Sequence, residues 1–283
     1  MRRVAILHHP ASQRASNLAT LASAELSKRG VASDVRSVWS EVAPEAVAGS
    51  EFVVCIGGDG SVLRAGRLSA KHKIPVLGVN MGTLGFLTEL GPDEFVSRLD
   101  DIISGAWRLE ERLMVRGTAR APGAAPVEVL GLNDIVVSRS RVARPINVEL
   151  RVDEATVAEY RCDGMIVATP TGSTGYSLSA GGPILAPNEH HLVVTPVSPH
   201  LALSRSLVLQ PESAVELVIT SEHGATMSVD GQEDADLPSG TSVEIAVSEH
   251  KAAFARFSTA AVFYGELAHR LENQLSSTRN YRD

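Results

Sequence analysis

The sequence predicts an α/β domain built on a parallel sheet, followed by a mostly antiparallel β domain. Two observations carry that expectation: strand-like and helix-like patterns alternate from the N-terminus to about residue 107, and from about Arg108 short β-rich runs separated by turn residues replace them. The first strand is Val4 to Leu7, and Leu18, Leu21, Ala22 and Leu26 then mark an amphipathic helix closed by Gly30. A strand over Phe52 to Ile56, a helix over Val62 to Ala70, a strand over Ile74 to Val79 and a helix opened by Pro92 continue the alternation, the last with Phe95, Leu99 and Ile102 on one face. Later runs at Ile135 to Val137, Ile146 to Val152, Met165 to Ala168, Val193 to Val197, Val215 to Ile219 and Val243 to Val247 read as strands, with the APGAAP segment at 121–126 as a hairpin tip. From Val262 to Leu275 helical spacing returns, placing Leu267, Leu271 and Leu275 in line on a helix expected to pack back on the first domain. The expected boundaries are 1–107 with 260–283 returning to it, and 108–259.

Composition narrows the function classes. With 283 residues and 44% hydrophobic content the chain can bury large cores. A formal net charge of −7 argues against a broad electrostatic grip on nucleic acid. The apolar run after Arg2 and Arg3 ends at His8, too short for a signal peptide or membrane span, so the expected compartment is the cytoplasm, away from any membrane. Cys55 and Cys162 stand in separate apolar segments without metal-ligand spacing and read as buried thiols. His8-His9 and His190-His191 are adjacent pairs, which lack the i, i+4 placement of helical metal ligands, and no metal ligands are expected.

Two glycine segments carry the chemistry. The first, VVCIGGDGS from Val53 to Ser61, follows a strand and opens a helix, where backbone N–H groups and the helix dipole favour phosphate. Asp59 at its centre would repel phosphate, so it needs another role: either a helix cap, shared with Ser61, or a base. Neither GxxxxGK[ST] nor GxGxxG can be written over this stretch. A third loop, GVNMGTLGFL from Gly78 to Leu87, sits at the carboxyl end of a strand, where open parallel sheets gather ligands, with Phe86 either buried or facing a ligand. The second segment, DGMIVATPTGSTGY from Asp163 to Tyr176, continues to Gly182 and concentrates hydroxyl and glycine residues around one aromatic ring. Such a loop can follow a sugar and phosphate chain while Tyr176 stacks on a base for roughly 1 to 3 kcal/mol.

These motifs, with LNDIVV around Asn133-Asp134 and SPHLALSRSLV, resemble the NAD kinases in order and approximate spacing from about Phe52 to Gln232. Diacylglycerol kinases, sphingosine kinases and phosphofructokinases carry related GGDG loops, whereas the Asn-Asp pair together with TPTGSTGY is far more specific. Ser61 stands where the family usually has Thr, and Asp134 where many members have Glu. The resemblance implies a Rossmann-like N-terminal domain, a β-sandwich-like C-terminal domain and a nucleotide site in the crevice between them. It also implies transfer of the terminal phosphoryl group of ATP to the 2′-hydroxyl of the adenosine ribose of NAD, giving NADP. By motif position Asp59 is the base, Gly58 and Gly60 approach phosphate, and Phe86, Asn133, Asp134, Thr174, Gly175, Tyr176 and Ser179 hold the adenosine, with Asp163 close by. Mg²⁺ or another divalent cation accompanies ATP, and a homodimer or homotetramer is expected. Arg64 is a candidate for charge neutralisation, against the competing reading of a surface arginine. Arg139, Arg141 and Arg144 are either an anion cluster or a solvated hairpin. Whether polyphosphate replaces ATP, or NADH replaces NAD, stays open at this level.

Overall fold

The computed structural model describes residues 1–82, 85–141, 144–200 and 204–258, with Gly265, Leu267 and Ala268 beyond them. The tail helix expected over 262–275 therefore falls almost wholly outside the described residues, as do Thr83, Leu84 and residues 201–203 of the motifs. The chain divides into two compact units, one of Met1–Glu110 with the residues from Ala253 onward, the other of Glu111–Ala252.

In the first unit β1 (Arg3–His8), α1 (Gln13–Lys28), β2 (Ala32–Ser37), α2 (Ala43–Ala48), β3 (Phe52–Ile56), α3 (Asp59–Ala70), β4 (Val76–Val79), α4 (Pro92–Ser97) and α5 (Leu99–Ser104) follow in order. The strands lie parallel in the order β2-β1-β3-β4, and Phe254, in the last strand among the described residues, pairs in parallel with Val76 of β4. Every residue of β3 and β4 is buried, the near-continuous apolar signature of a sheet covered on both faces. Helix α1 starts where Ser12 Oγ accepts the Ala15 N–H at 3.2 Å, and it turns off at Gly30, whose φ of 74° is left-handed. The helix expected after Pro92 is two short helices, parted at Arg98 (φ −99°, ψ 11°), yet Phe95, Leu99 and Ile102 all enter the core as expected. Because β1 pairs with β2 on one side and β3 on the other, the order reverses between β1 and β3, and the loop after β3 leaves from the carboxyl edge at that switch point.

The second unit holds most of β5 (Arg108–Arg120), β6 (Val127–Gly131), β7 (Asp134–Ser138), β8 (Ile146–Val152), β9 (Ala155–Cys162), β10 (Gly164–Ala168), a 3₁₀ turn at Gly172–Thr174, α6 (Tyr176–Ser179), β11 (Leu192–Val197), β12 (Leu207–Leu209), β13 (Val215–Ile219), β14 (Ala225–Val229), β15 (Glu233–Leu237) and most of β16 (Ser242–Arg256). One antiparallel sheet runs β12-β11-β10-β7-β14-β15, and the other joins β16, β13, β8 and β9 with the β5–β6 hairpin paired to β16. Alternate residues such as Ile146, Val148 and Leu150 of β8 and Val215, Leu217 and Ile219 of β13 point into a shared core with Ile135, Val137, Met165 and Val167. On the other face of β7 and β10, Val136, Ile166 and Ala168 form a small second cluster with Ala180, so the segment after β10 folds back over that face.

Candidate functional site

The motif residues gather in two clusters, one inside each unit. In the first, the apolar run of β3 ends at Gly57 and α3 begins at Asp59, with Gly58, which has no side chain to contribute, at the N-cap. The Asp59 carboxylate accepts the Phe86 N–H at 3.0 Å and the Leu87 N–H at 3.1 Å, one on each oxygen. Gly85 makes this closure possible: a Cβ there would fall onto the Asp59 carboxylate. At Gly78 a Cβ would meet Leu87 O and Thr88 Cα at 2.9 Å, so strand and loop approach too closely for any side chain. Gly58 and Gly60 face open space, and the Ser61 hydroxyl is buried without a hydrogen-bond partner. Phe86 is half-buried rather than core.

Arg64 is anchored within this unit: its Nε donates to Val38 O at 2.9 Å and its guanidinium lies 4.6 Å from the Trp39 ring centre. His9 Nδ1 accepts the Ala11 N–H at 3.2 Å in the turn after β1.

In the second unit the Asn133-Asp134 pair opens β7 directly beside the loop that follows β10, because Asp134 pairs with Ala168 across the two strands. Asn133 O accepts the Thr169 N–H at 2.8 Å, and Thr169 Oγ1 donates to Leu132 O at 2.6 Å. Gly172 lies against the same peptide, for a Cβ there would collide with Asn133 O. The Thr174 hydroxyl donates to Thr171 O at 3.2 Å, Gly175 follows, and α6 then presents Tyr176 and Ser179 on an exposed surface, the tyrosine 49% exposed. Asp163 stands at the far end of β10, roughly 15–20 Å of strand from Thr169, where it pairs with Arg139 at 3.3 Å. The chain's own fold thus groups Asn133, Asp134, Thr174, Gly175 and Tyr176 and leaves Asp163 apart from them.

One residue that the motif reading passed over organises this cluster. Asp230, at φ 54° in the turn after β14, accepts the N–H groups of Leu132, Asn133 and Asp134 at 3.0, 2.7 and 3.1 Å, and its own N–H returns to Asp134 O at 3.0 Å. Its only sequence signal is the Asp-Gly pair of a tight turn. The Asp134 carboxyl is buried, and that burial, with the negative charge of Asp230 after it, pushes it up from 3.8 to about 7.

Residues 4–107 match the ATP-NAD kinase N-terminal domain and residues 132–257 the ATP-NAD kinase C-terminal domain. A NAD kinase of Chloroflexus aurantiacus is 39% identical over 273 residues, covering 96% of this chain and 99% of that protein. This chain belongs to the NAD kinase family. A NAD kinase of Heliobacterium modesticaldum is 45% identical over 194 residues, 68% of this chain and 69% of its own. Among solved structures, an NAD kinase from Archaeoglobus fulgidus in complex with ATP is similar with a TM-score of 0.73 at 30% identity, covering 91% of this chain and 95% of that one. Yeast NADH kinase complexed with NADH has the same fold, with a TM-score of 0.82 at 23% identity over 92% of this chain and 84% of that one. For a NAD kinase family member the grouping is coherent: an open glycine loop with a carboxylate in one unit, an amide, hydroxyl and aromatic surface in the other. Among the described residues no three His, Cys, Asp or Glu side chains gather as a metal site. No helix among them is long and apolar enough to cross a membrane.

Proposed function

We propose that this chain transfers the terminal phosphoryl group of MgATP to the 2′-hydroxyl of the adenosine ribose of NAD, giving NADP and ADP, with Asp59 as the base. Family membership supports the reaction, and the orientation of Asp59 carries the assignment of the base. Two amides orient its carboxylate, one on each oxygen. A carboxylate oxygen has two lone pairs and can accept from more than one donor. The ribose hydroxyl donates its proton there as its oxygen attacks the γ-phosphorus, while the bond from that phosphorus to the bridging oxygen breaks and ADP leaves with the electron pair. Gly58 and Gly60, with no side chain to shield their amides, line the phosphate path, and the cation enters as part of the MgATP substrate. Asn133, Asp134, Thr174, Gly175, Tyr176 and Ser179 hold the adenosine, with Tyr176 stacking on the base. Asp163 serves a nucleotide bound to a neighbouring subunit, and the functional form is a homodimer or homotetramer.

The test is production of NADP from NAD and MgATP by the purified protein, beside the Asp59→Asn variant. The wild type forms NADP, and the variant loses at least ~100-fold in kcat with NAD binding nearly intact, since a base acts in the transition state. Wild-type protein that forms no NADP above a blank refutes the reaction, and unaltered turnover by the variant refutes the base.

A further inference from the structure

Asp59 goes where its two amides go, and those amides belong to a loop that a distant side chain holds. Arg256, near the end of β16 and 5% exposed, directs Nη1 to Leu87 O at 3.2 Å and Thr88 O at 3.4 Å, and Nη2 to Phe86 O at 3.5 Å. Two carboxylates balance its charge: Glu89 Oε2 lies 3.1 Å from Nη1 and Glu110 Oε1 3.1 Å from Nε. Glu89 in turn accepts the Phe257 and Ser258 N–H groups at 2.7 and 2.6 Å, tying the loop to the chain just beyond Arg256. The Phe86–Leu87 peptide connects the two ends of this network. A trans peptide points its C=O and N–H in opposite directions. Here the oxygen meets Arg256, and the N–H on the other side meets Asp59 Oδ1.

We propose that Arg256 is a positioning residue for Asp59, acting through the Phe86–Leu87 peptide; this rests on Asp59 being the base. A planar guanidinium with donors in a fixed fork can reach three carbonyls and two carboxylates at once, which an ammonium cannot. Its grip sets the direction of the amides that orient the Asp59 carboxylate, and the positive charge on the carbonyl side polarises the peptide toward stronger donation. A purely structural ion pair would support the fold equally well whatever occupies position 59, and this is where the two roles separate.

The experiment is a double-mutant cycle in full-length protein with Arg256→Lys, Asp59→Asn and the pair, reading kcat, KM for NAD and ATP, and the thermal midpoint. Arg256→Lys lowers kcat roughly 10-fold while each KM moves less than about 3-fold, and on the Asp59→Asn background the same change alters kcat less than about 2-fold. An equal fold loss on both backgrounds, or wild-type kcat in Arg256→Lys, overturns the proposal and leaves the base assignment standing. Wild-type kcat in Asp59→Asn alone overturns the base assignment and the proposal with it. If Arg256→Lys does not fold, Glu110→Gln, which removes one partner of the guanidinium, takes its place in the cycle. A smaller kcat loss, again confined to the Asp59 background, is expected of it, and the same equalities overturn the proposal.

Discussion

Asp134→Asn should make this protein more stable and less active, with the gain in stability growing from acid to neutral pH. The Asp134 carboxyl is 5% exposed and faces the charge of Asp230, so the folded state raises it from 3.8 to about 7. Between about pH 4 and 7 the folded protein keeps a proton that the unfolded chain has already released. Stability contributed by this group therefore falls as pH rises through that window and is level above it. At about 1.36 kcal/mol per pH unit, the roughly three-unit lift sets a ceiling on the order of 4 kcal/mol, and local relaxation and water entry around the buried charge bring the working figure nearer ~2 kcal/mol. Asparagine keeps the shape and removes the titration. The assay is thermal melting of both proteins from pH 4 to 8, taking variant minus wild type so that the other titrating groups cancel. A midpoint difference of roughly 4–15 °C should open by pH 8, given about 2–4 °C per kcal/mol for chains of comparable size, and close toward pH 4. A difference independent of pH, or one that shrinks as pH rises, refutes the argument. The destabilising carboxyl is explained by its proposed work on the adenosine, so the same variant should show a KM for NAD raised at least ~10-fold.

Gly85→Ala places a methyl group on the Asp59 carboxylate, so kcat should fall at least ~10-fold with KM for ATP little changed; steady-state kinetics showing normal kcat would mean that the loop opens freely. Tyr176→Ala removes an exposed stacking face, for which a loss of roughly 1–3 kcal/mol predicts a KM for NAD about 5- to 150-fold higher; an unchanged value sets the base elsewhere. Asp230→Ala leaves three consecutive amides without their acceptor, and NAD affinity measured by calorimetry should drop at least ~10-fold, while Asp230→Asn recovers part of it. Retained affinity in the alanine variant would show that the Asn133-Asp134 turn holds its shape unaided.

Strands buried on both faces, such as Phe52–Ile56, were legible because an unbroken apolar run flanked by glycine has few other uses. Strand β9 was not: its burial follows only Tyr160 and Cys162, and Ala155 to Val157 lie exposed at the sheet edge, so no alternation marks it. Strand β2 (ASDVRS) is missed for the same reason, pairing on one side only. In the site, glycines and hydroxyls cluster within short stretches and announce themselves. Asp230 and Arg256 do not, because each is a single charged residue separated by 96 and by 170 positions from a group it holds.

Those two residues solve one problem with opposite charges. A loop that must approach a ligand closely is rich in glycine and has few side chains with which to brace itself, so its backbone has to be held from elsewhere. In the second unit a carboxylate collects three N–H groups and leaves the carbonyl of Asn133 to Thr169. In the first a guanidinium collects three carbonyls and leaves the N–H groups of Phe86 and Leu87 to Asp59. The polarity of each brace follows from what the loop must offer: amides directed at the carboxylate proposed as the base require their carbonyls to be satisfied behind them, and among single side chains only a cation can do that for three oxygens at once. Exchanging Arg256 for a neutral residue of equal length would leave three carbonyls without this donor and remove the cation that balances Glu89 and Glu110, so the loop would turn its peptides to find donors and carry Asp59 out of line.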